Sequence, residues 1–218
     1  AASGRGGPGA GLTAGYLTVY AAAILVGAKL YRDIATPGWA YLALAVIGLA
    51  AFRRDFQDGL SLWGSRPFWS LAWTFGGLVG IMLADTAAAL IPYALGADDP
   101  PNVGRVIALV EQRGLAFAAV GVGLSGPLVE EIVYRLVLVG RASSRVPMWV
   151  CLPASSLLFA AIHLGGFSPI AASAVLPHLT IGLGLAVIYW RTRNITITVA
   201  IHVLYNLMGL LTLAASLP

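Results

Sequence analysis

The sequence predicts an all-α fold: a polytopic membrane helix bundle of about seven transmembrane helices, one of them broken at Gly126-Pro127. Hydrophobic residues occupy 59% of the 218 positions and charged residues only 10%, whereas soluble domains carry about 25% charged residues. The mean hydropathy is +0.85. The apolar runs are continuous rather than alternating, which indicates helices instead of the strands of a membrane barrel. This composition excludes a soluble globular domain.

Seven apolar stretches supply the predicted spans. The first two are shorter than the ~20 residues that cross a bilayer directly. The predicted spans are 13–28, 39–52, 68–93, 115–140, 148–164, 170–190 and 195–215. A polar loop is predicted over 53–66, a long polar connection over 97–113 and a tight turn over 165–169. Residues 1–12 are rich in Gly and Ala and are predicted as a disordered tail, and residues 13–218 as a single domain.

The basic residues predict the orientation in the membrane. With seven spans, eight Arg residues lie on the side of the N-terminus and four Lys or Arg residues on the other side: Arg5, Arg53, Arg54, Arg66, Arg141, Arg145, Arg191 and Arg193 against Lys29, Arg32, Arg105 and Arg113. The positive-inside rule then places the N-terminus in the cytoplasm. The net charge of +4 is explained by these topology signals, so we expect no nucleic-acid partner. The single Cys151 excludes an internal disulfide.

Charged residues inside an apolar run mark the candidate site. Glu130, Glu131 and Arg135 lie within the fourth predicted span, where each charge near the bilayer centre costs roughly 2.5 to 3.5 kcal/mol. Glu131 and Arg135 are four residues apart and share a helix face, so they can pair, while Glu130 points elsewhere and stays available. Proline lacks an amide hydrogen, and Gly126-Pro127 is therefore expected to break the helix. Broken backbone at this depth is tolerated only in protein or beside a water-filled cavity. A polar chamber is predicted.

Three further polar residues lie in apolar surroundings. His163 ends the fifth span, and His202 and Asn206, four apart, face one cavity from the seventh. Taken singly, each is explained by a hydrogen bond to a neighbouring helix. Together with the charged residues, on three helices, they predict a functional site. His178 is expected to be a cross-helix hydrogen-bonding group.

Two features of the third span allow alternatives. Asp85 faces the polar chamber, pairs with an arginine such as Arg135, or lies at the membrane interface. Gly76 and Gly80 have the spacing of a close-packing helix pair, although chance in a Gly-rich chain explains the spacing equally well.

The motifs Glu130-Glu131-xxx-Arg135, Phe159-xxx-His163 and His202-xxx-Asn206, in this order and in membrane helices, resemble the CPBP family (CAAX protease and bacteriocin-processing, or Abi) of intramembrane endopeptidases. The likeness covers residues 127–211. It implies a single intramembrane protease domain over 13–218 with a catalytic core at about 115–215. It also implies a membrane-associated protein or peptide as substrate and the bilayer as surroundings. The compact length and the richness in Ala, Gly and Leu favour the bacterial cytoplasmic membrane.

The resemblance also implies roles for the site residues. Glu130 and His163 activate water as general base, while His202 and Asn206 donate hydrogen bonds to the oxyanion. Glu131 and Arg135 fix the helix, and the two glutamates are exchangeable in these roles. A metal-independent mechanism is favoured, with no cofactor required.

Alternative functions use the same residues. Glu130, His163 and His202 offer the ligands of a zinc-dependent peptidase. A non-catalytic membrane scaffold or immunity protein keeps the fold without turnover. A proton-coupled transporter is also built from intramembrane Glu, His and Asp, but that class predicts inverted repeats, and none is visible.

Overall fold

The computed structural model describes residues 9–30, 35–97, 101–164 and 169–216, and all regular structure in these ranges is helical. The all-α prediction is therefore confirmed for this part of the chain. In chain order the helices are α1 (Ala10–Leu30), α2 (Ala35–Ala51), α3 (Arg53–Ser65), α4 (Pro67–Ala94), α5 (Pro101–Arg113), α6 (Leu115–Ser144), α7 (Met148–Ala161), α8 (Pro169–Ser173), α9 (Leu176–Thr192) and α10 (Ile195–Ser216).

Three of these helices, α4, α6 and α10, are long and apolar enough to cross a membrane. Shorter apolar helices occupy Ala10–Ile24, Trp39–Ala51 and Met148–Ala161. Together with the composition, they indicate an integral membrane protein. The number of seven spans stays a prediction.

Helix α6 lies at the centre of the bundle. It packs against α2, α7, α9 and α10, while α9 fills the space between α4 and α7. The apolar core includes Val129, Ile132 and Val139 of α6, none of which has exposed surface. Glu130, Glu131 and Arg135 of α6 are buried as well and therefore lie inside the protein rather than in contact with lipid.

The predicted break at Gly126-Pro127 is wrong, because α6 continues through it. Gly126 has helical backbone angles, φ −56° and ψ −61°. The turns on either side are π-helical, and the Gly126 N–H donates to the carbonyl of Gly121, five residues earlier. In this register Pro127 has no N–H for the carbonyl of Val122. That carbonyl accepts a hydrogen bond from Asn206 Nδ2 of α10 instead, at 3.0 Å. A side chain from a neighbouring helix thus replaces the donor that proline lacks.

The polar stretch 53–66, predicted as a loop, forms helix α3 instead. Its polar and apolar residues lie on opposite faces, and neighbouring elements bond the inner face. Asn194 Nδ2 donates to the carbonyl of Gly59 at 3.1 Å, and Trp63 Nε1 donates to Thr196 Oγ1 at 2.9 Å. These contacts dock α3 on the connection between α9 and α10.

Further boundaries differ from the prediction. The connection predicted over 97–113 is largely the amphipathic helix α5, although 98–100 lie outside the described residues. The sixth predicted span is interrupted between α8 and α9, where Pro177 in the first turn restarts the helix. Helix α1 begins at Ala10, inside the stretch predicted as a tail, whose first eight residues lie outside the described ranges. So do residues 165–168 of the predicted turn. The seventh predicted span is confirmed as α10.

The spacing of Gly76 and Gly80 does not mark a packed helix pair. Among the described residues, no atom beyond the adjoining part of α4 itself lies within 4 Å of a Cβ placed on either residue, whereas a Cβ on Gly77 would lie 2.8 Å from Ile188 Cδ1 and 2.9 Å from Ile201 Cδ1. The glycine at which α4 meets α9 and α10 is therefore Gly77. The prediction placed this contact one residue away, on another helix face.

Candidate active site

A buried ion pair on α6 forms the base of the candidate site. Arg135 NH1 lies 3.1 Å from Glu131 Oε1, and neither side chain has exposed surface. The predicted pairing of these two residues is confirmed. The same carboxylate oxygen bonds Nδ1 of His202 from α10, at 2.9 Å. Since the paired carboxylate accepts only, Nδ1 carries the hydrogen. Glu131 thus joins α6 to α10 and sets the orientation of the His202 ring.

Arg135 extends this contact to the other helices of the core. Its NH2 donates to the carbonyl of Gly182 on α9 at 3.2 Å, and its guanidinium carbon lies 4.6 Å from the centre of the Phe159 ring of α7. A planar guanidinium can bond at its edge and stack on an aromatic ring at its face, which Lys cannot do. Arg135 therefore holds three helices around one buried charge.

Glu130 lies outside the ion pair of Glu131 and Arg135. It is 8% exposed, and its Oε2 lies 3.7 Å from His202 Nε2. Because Glu131 occupies Nδ1 of His202, the other ring nitrogen is the one that faces Glu130. The structure therefore keeps the distinction expected from the spacing: Glu131 is bound into the scaffold, and Glu130 borders the polar site.

Phe159 is the residue on which the two motif histidines meet. Its buried ring lies 5.2 Å from the ring centre of His163 and 5.7 Å from that of His202. His163 follows the end of α7, where its backbone N–H bonds the carbonyl of Ala160. The freed carbonyl of Phe159 bonds His163 Nδ1 at 2.9 Å. A carbonyl can only accept, so Nδ1 carries the hydrogen and Nε2 of the neutral ring has a lone pair.

His178 stacks on His163. The ring centres are 4.1 Å apart and the planes differ by 23°. We expected a hydrogen-bonding role for His178, and no sequence feature predicted that it would lie against His163. The available signal was a polar residue within an apolar span, which does not specify the contact partner.

Asn206 and Asp85 have partners that the sequence did not indicate. Asn206 donates to the carbonyl of Val122, as described above. Asp85 accepts a hydrogen bond of 2.5 Å from the hydroxyl of Tyr205 on α10. Of the alternatives for Asp85, pairing with Arg135 is thus wrong, since Arg135 binds Glu131. Tyr205 precedes Asn206, so polar contacts fix α10 to α4 and to α6 at neighbouring positions.

The residues suggested as zinc ligands, Glu130, His163 and His202, do not form a cluster tight enough to share one metal ion. Across the described ranges, no three His, Cys, Asp or Glu side chains are close enough together to hold a metal ion. His163 and His202 each have Nδ1 bonded to an acceptor, an arrangement that is common to metal ligands and to catalytic histidines. We assign no step to a metal, and independence from a cofactor stays a prediction.

Comparison with known families indicates the class of function. Residues 112–208 match the family described as type II CAAX prenyl endopeptidase Rce1-like. These residues form a CAAX endopeptidase family domain. The domain contains the ion pair, Glu130 and all three histidines. No curated protein and no solved structure matched the chain significantly.

The family match over residues 112–208 indicates a peptidase and confirms the resemblance seen in the motifs. The CAAX endopeptidase domain begins just before α6 and ends within α10. It therefore excludes α1 to α4, although α4 packs directly against α9 and α10. The family also implies that the substrate is a protein or peptide. The roles of the single residues are a separate matter and are proposed below.

Proposed function

We propose that this chain is an intramembrane endopeptidase that hydrolyses a peptide bond of a membrane-associated protein or peptide. Glu130 and His163 activate the water, His202 and Asn206 stabilise the oxyanion, and Glu131 with Arg135 supports them. The observation that carries the proposal is the buried cluster of Glu130, Glu131 and His202 within a CAAX endopeptidase family domain.

The protonation pattern supports a base role for His163. With Nδ1–H bonded to the Phe159 carbonyl, Nε2 of the neutral ring accepts the proton that leaves the attacking water. The water oxygen bonds to the peptide carbonyl carbon, and the proton is later delivered to the leaving nitrogen as the C–N bond breaks. Glu130 shares this proton transfer, since it is the glutamate outside the buried ion pair.

The oxyanion role places a requirement on His202. Its Nδ1 hydrogen is bonded to Glu131, so a donor at Nε2 exists only when the ring carries both protons. The carboxylates of Glu130 and Glu131 on either side balance that charge. Asn206 uses one Nδ2 hydrogen for the Val122 carbonyl and retains a second for the oxyanion. Donors fixed before the reaction stabilise such a charge most strongly in a water-poor site.

The test is cleavage in water enriched in oxygen-18. Purified protein in lipid nanodiscs is incubated with farnesylated CAAX peptides, leader peptides and sorting-segment peptides, and intact mass is recorded. Hydrolysis adds one labelled oxygen to the new C-terminus. We expect Glu130→Gln and His163→Ala to lower the rate by at least about 100-fold. Glu111→Gln, an exposed glutamate change on α5, is the matched control and should leave the rate unchanged.

Each other outcome has a defined meaning. Full activity of Glu130→Gln would move the base role to Glu131. Loss of activity with 1,10-phenanthroline that zinc restores would make the same residues metal ligands. If the wild-type protein cleaves no peptide of the panel, the peptidase proposal fails for these substrates, and the result favours a non-catalytic membrane scaffold.

We further propose that the N-terminus is cytoplasmic. Contacts support the grouping of the basic connections, because Arg141 at the end of α6 bonds Thr13 Oγ1 of α1 at 3.1 Å and Asp55 Oδ2 of α3 at 3.1 Å. The connection between α9 and α10 lies at the same end of the bundle. Reporter fusions after residue 66 and after residue 113 should show cytoplasmic and external signals, respectively, and the reverse result would reject this orientation.

A further inference from the structure

The orientation of the His163 ring depends on few contacts. His163 is half-buried and follows the end of α7, so the helical backbone does not hold it. The hydrogen bond to the Phe159 carbonyl fixes Nδ1, but the ring plane can still rotate about that bond. The direction of Nε2, the nitrogen that the proposed reaction uses, changes with this rotation. The Phe159 ring, 5.2 Å away and tilted by 47°, contacts the His163 ring at an angle, so a contact parallel to the ring is needed to fix the plane.

His178 provides a contact of this kind. Its ring lies over that of His163 with the centres 4.1 Å apart and the planes within 23° of parallel. Ring nitrogens have their hydrogens and lone pairs in the ring plane. Two nearly parallel stacked rings therefore cannot exchange a proton through a direct hydrogen bond. The geometry therefore allows His178 to support the His163 ring by stacking, and it does not allow a direct proton relay between the two rings.

Helix α9 fixes His178 relative to the buried ion pair. Gly182 lies four residues after His178, on the same face of the helix. Its carbonyl accepts the hydrogen bond from Arg135, and a Cβ on Gly182 would lie 3.0 Å from Phe159 Cδ1. Close packing at Gly182 thus holds α9 against α7. His178 therefore lies on a helix that is held in place by Arg135 and by Phe159.

We propose that His178 is a positioning residue for peptide hydrolysis: by stacking on His163 it fixes the ring plane and the direction of Nε2. The proposal rests on the proposed function, because it needs His163 to be a base. It predicts that an aromatic ring is required at position 178 and that the nitrogens of His178 are not.

The kinetic test compares two substitutions. His178→Phe keeps an aromatic ring and removes both nitrogens, whereas His178→Ala removes the ring. We expect His178→Ala to lower kcat by about 10- to 100-fold with little change in KM, and His178→Phe to restore kcat to within about threefold of wild type. Thr180→Ala is the matched control on the same helix, since its hydroxyl bonds the carbonyl of Leu176 within that helix at 3.0 Å. It should behave as wild type.

A second readout does not depend on activity. The chain has three histidines, so ring signals of histidine-labelled protein can be assigned by single substitutions and followed by NMR. In His178→Ala the His163 ring protons should lose the ring-current shift of the stacked neighbour, and in His178→Phe they should retain one. Thermal unfolding of each variant shows whether it is folded.

The outcomes separate this proposal from the proposed function. Equal kcat loss in His178→Phe and His178→Ala would overturn the stacking role and indicate a role for the nitrogens. A change confined to KM, or unchanged His163 signals in His178→Ala, would overturn it as well. Wild-type levels of cleavage by His163→Ala would remove the proposed function, while the NMR comparison would still show whether the two rings stack in the folded protein.

Discussion

Helices α4 and α6 have similar lengths, 28 and 30 residues, and both are apolar enough to span a membrane, yet they face different surroundings. In their most apolar segments, 17% of the residues of α4 are buried in the protein, against 67% in α6. The exposed side chains of α4 are large and apolar, such as Phe75 and Leu83. Helix α6 carries Glu130, Glu131 and Arg135 and is enclosed by other helices. Hydropathy therefore identifies both as membrane helices, and only the charged residues reveal which one lies inside.

Substitution of a buried charged residue of α6 should lower the stability of the protein far more than substitution of the charged residue at the exposed end of the same helix. Arg135→Met leaves the Glu131 carboxylate without its ion-pair partner in a dry interior, and we expect a loss of about 3 to 5 kcal/mol of unfolding free energy. Arg141→Met breaks the ion pair with Asp55. The side chains of Arg141 and Asp55 are 26% and 25% exposed, so the loss of unfolding free energy should be at most about 1 kcal/mol. Unfolding in mixed micelles with increasing denaturing detergent measures both.

A double variant sharpens this prediction. Glu131→Leu combined with Arg135→Met removes both charges, and apolar residues of similar size are often tolerated in place of a buried pair. The double variant should therefore be more stable than Arg135→Met alone. If the two are equally unstable, the ion pair is not the cause of the loss.

The sequence was sufficient to predict interactions between residues of the same helix. The four-residue spacing of Glu131 and Arg135 predicted their pairing, because that spacing brings side chains together on any helix. It was not sufficient for contacts between helices. The bonds from Glu131 to His202 and from Asp85 to Tyr205 depend on how each helix is rotated about its axis, which local spacing does not determine. The six candidate site residues could be selected for their polarity, but apart from the Glu131–Arg135 pair their partners could not be predicted.

The wrong predictions about the fold also come from contacts between helices that local sequence does not show. Residues 53–65 were expected to be a loop because they are polar, yet one face of α3 packs on the protein and the other is solvated, which is the pattern of an amphipathic surface helix. The expected break at Pro127 considered only the missing donor of the proline. The donor that replaces it comes from Asn206, 79 positions later in the chain and on another helix.

The contact of α4 with α9 and α10, two of the helices that enclose α6, can be tested at adjacent glycines of α4. Gly77→Val places methyl groups against Ile188 and Ile201, and we expect it to cost about 1 to 3 kcal/mol through overpacking. Gly76→Val meets open space and shares the same change in helix propensity, so the difference between the variants isolates the packing. The same micelle unfolding assay applies. Equal stability of the two variants would contradict the placement of Gly77 between α9 and α10.

The smallest expected effect concerns the backbone of α6 at Pro127. Asn206→Ala removes the donor to the Val122 carbonyl, and because this hydrogen bond is only partly buried we expect a loss of about 1 kcal/mol. Pro127→Ala supplies an N–H that can bond the same carbonyl, so the double variant should lose less than the sum of the single losses. Pro92→Ala, in the last turn of the exposed helix α4, is the control and should show no such coupling with Asn206→Ala. Strictly additive losses for Pro127 and Asn206 would mean that Asn206 does not replace the proline's missing donor, and would leave its amide entirely to the proposed oxyanion role.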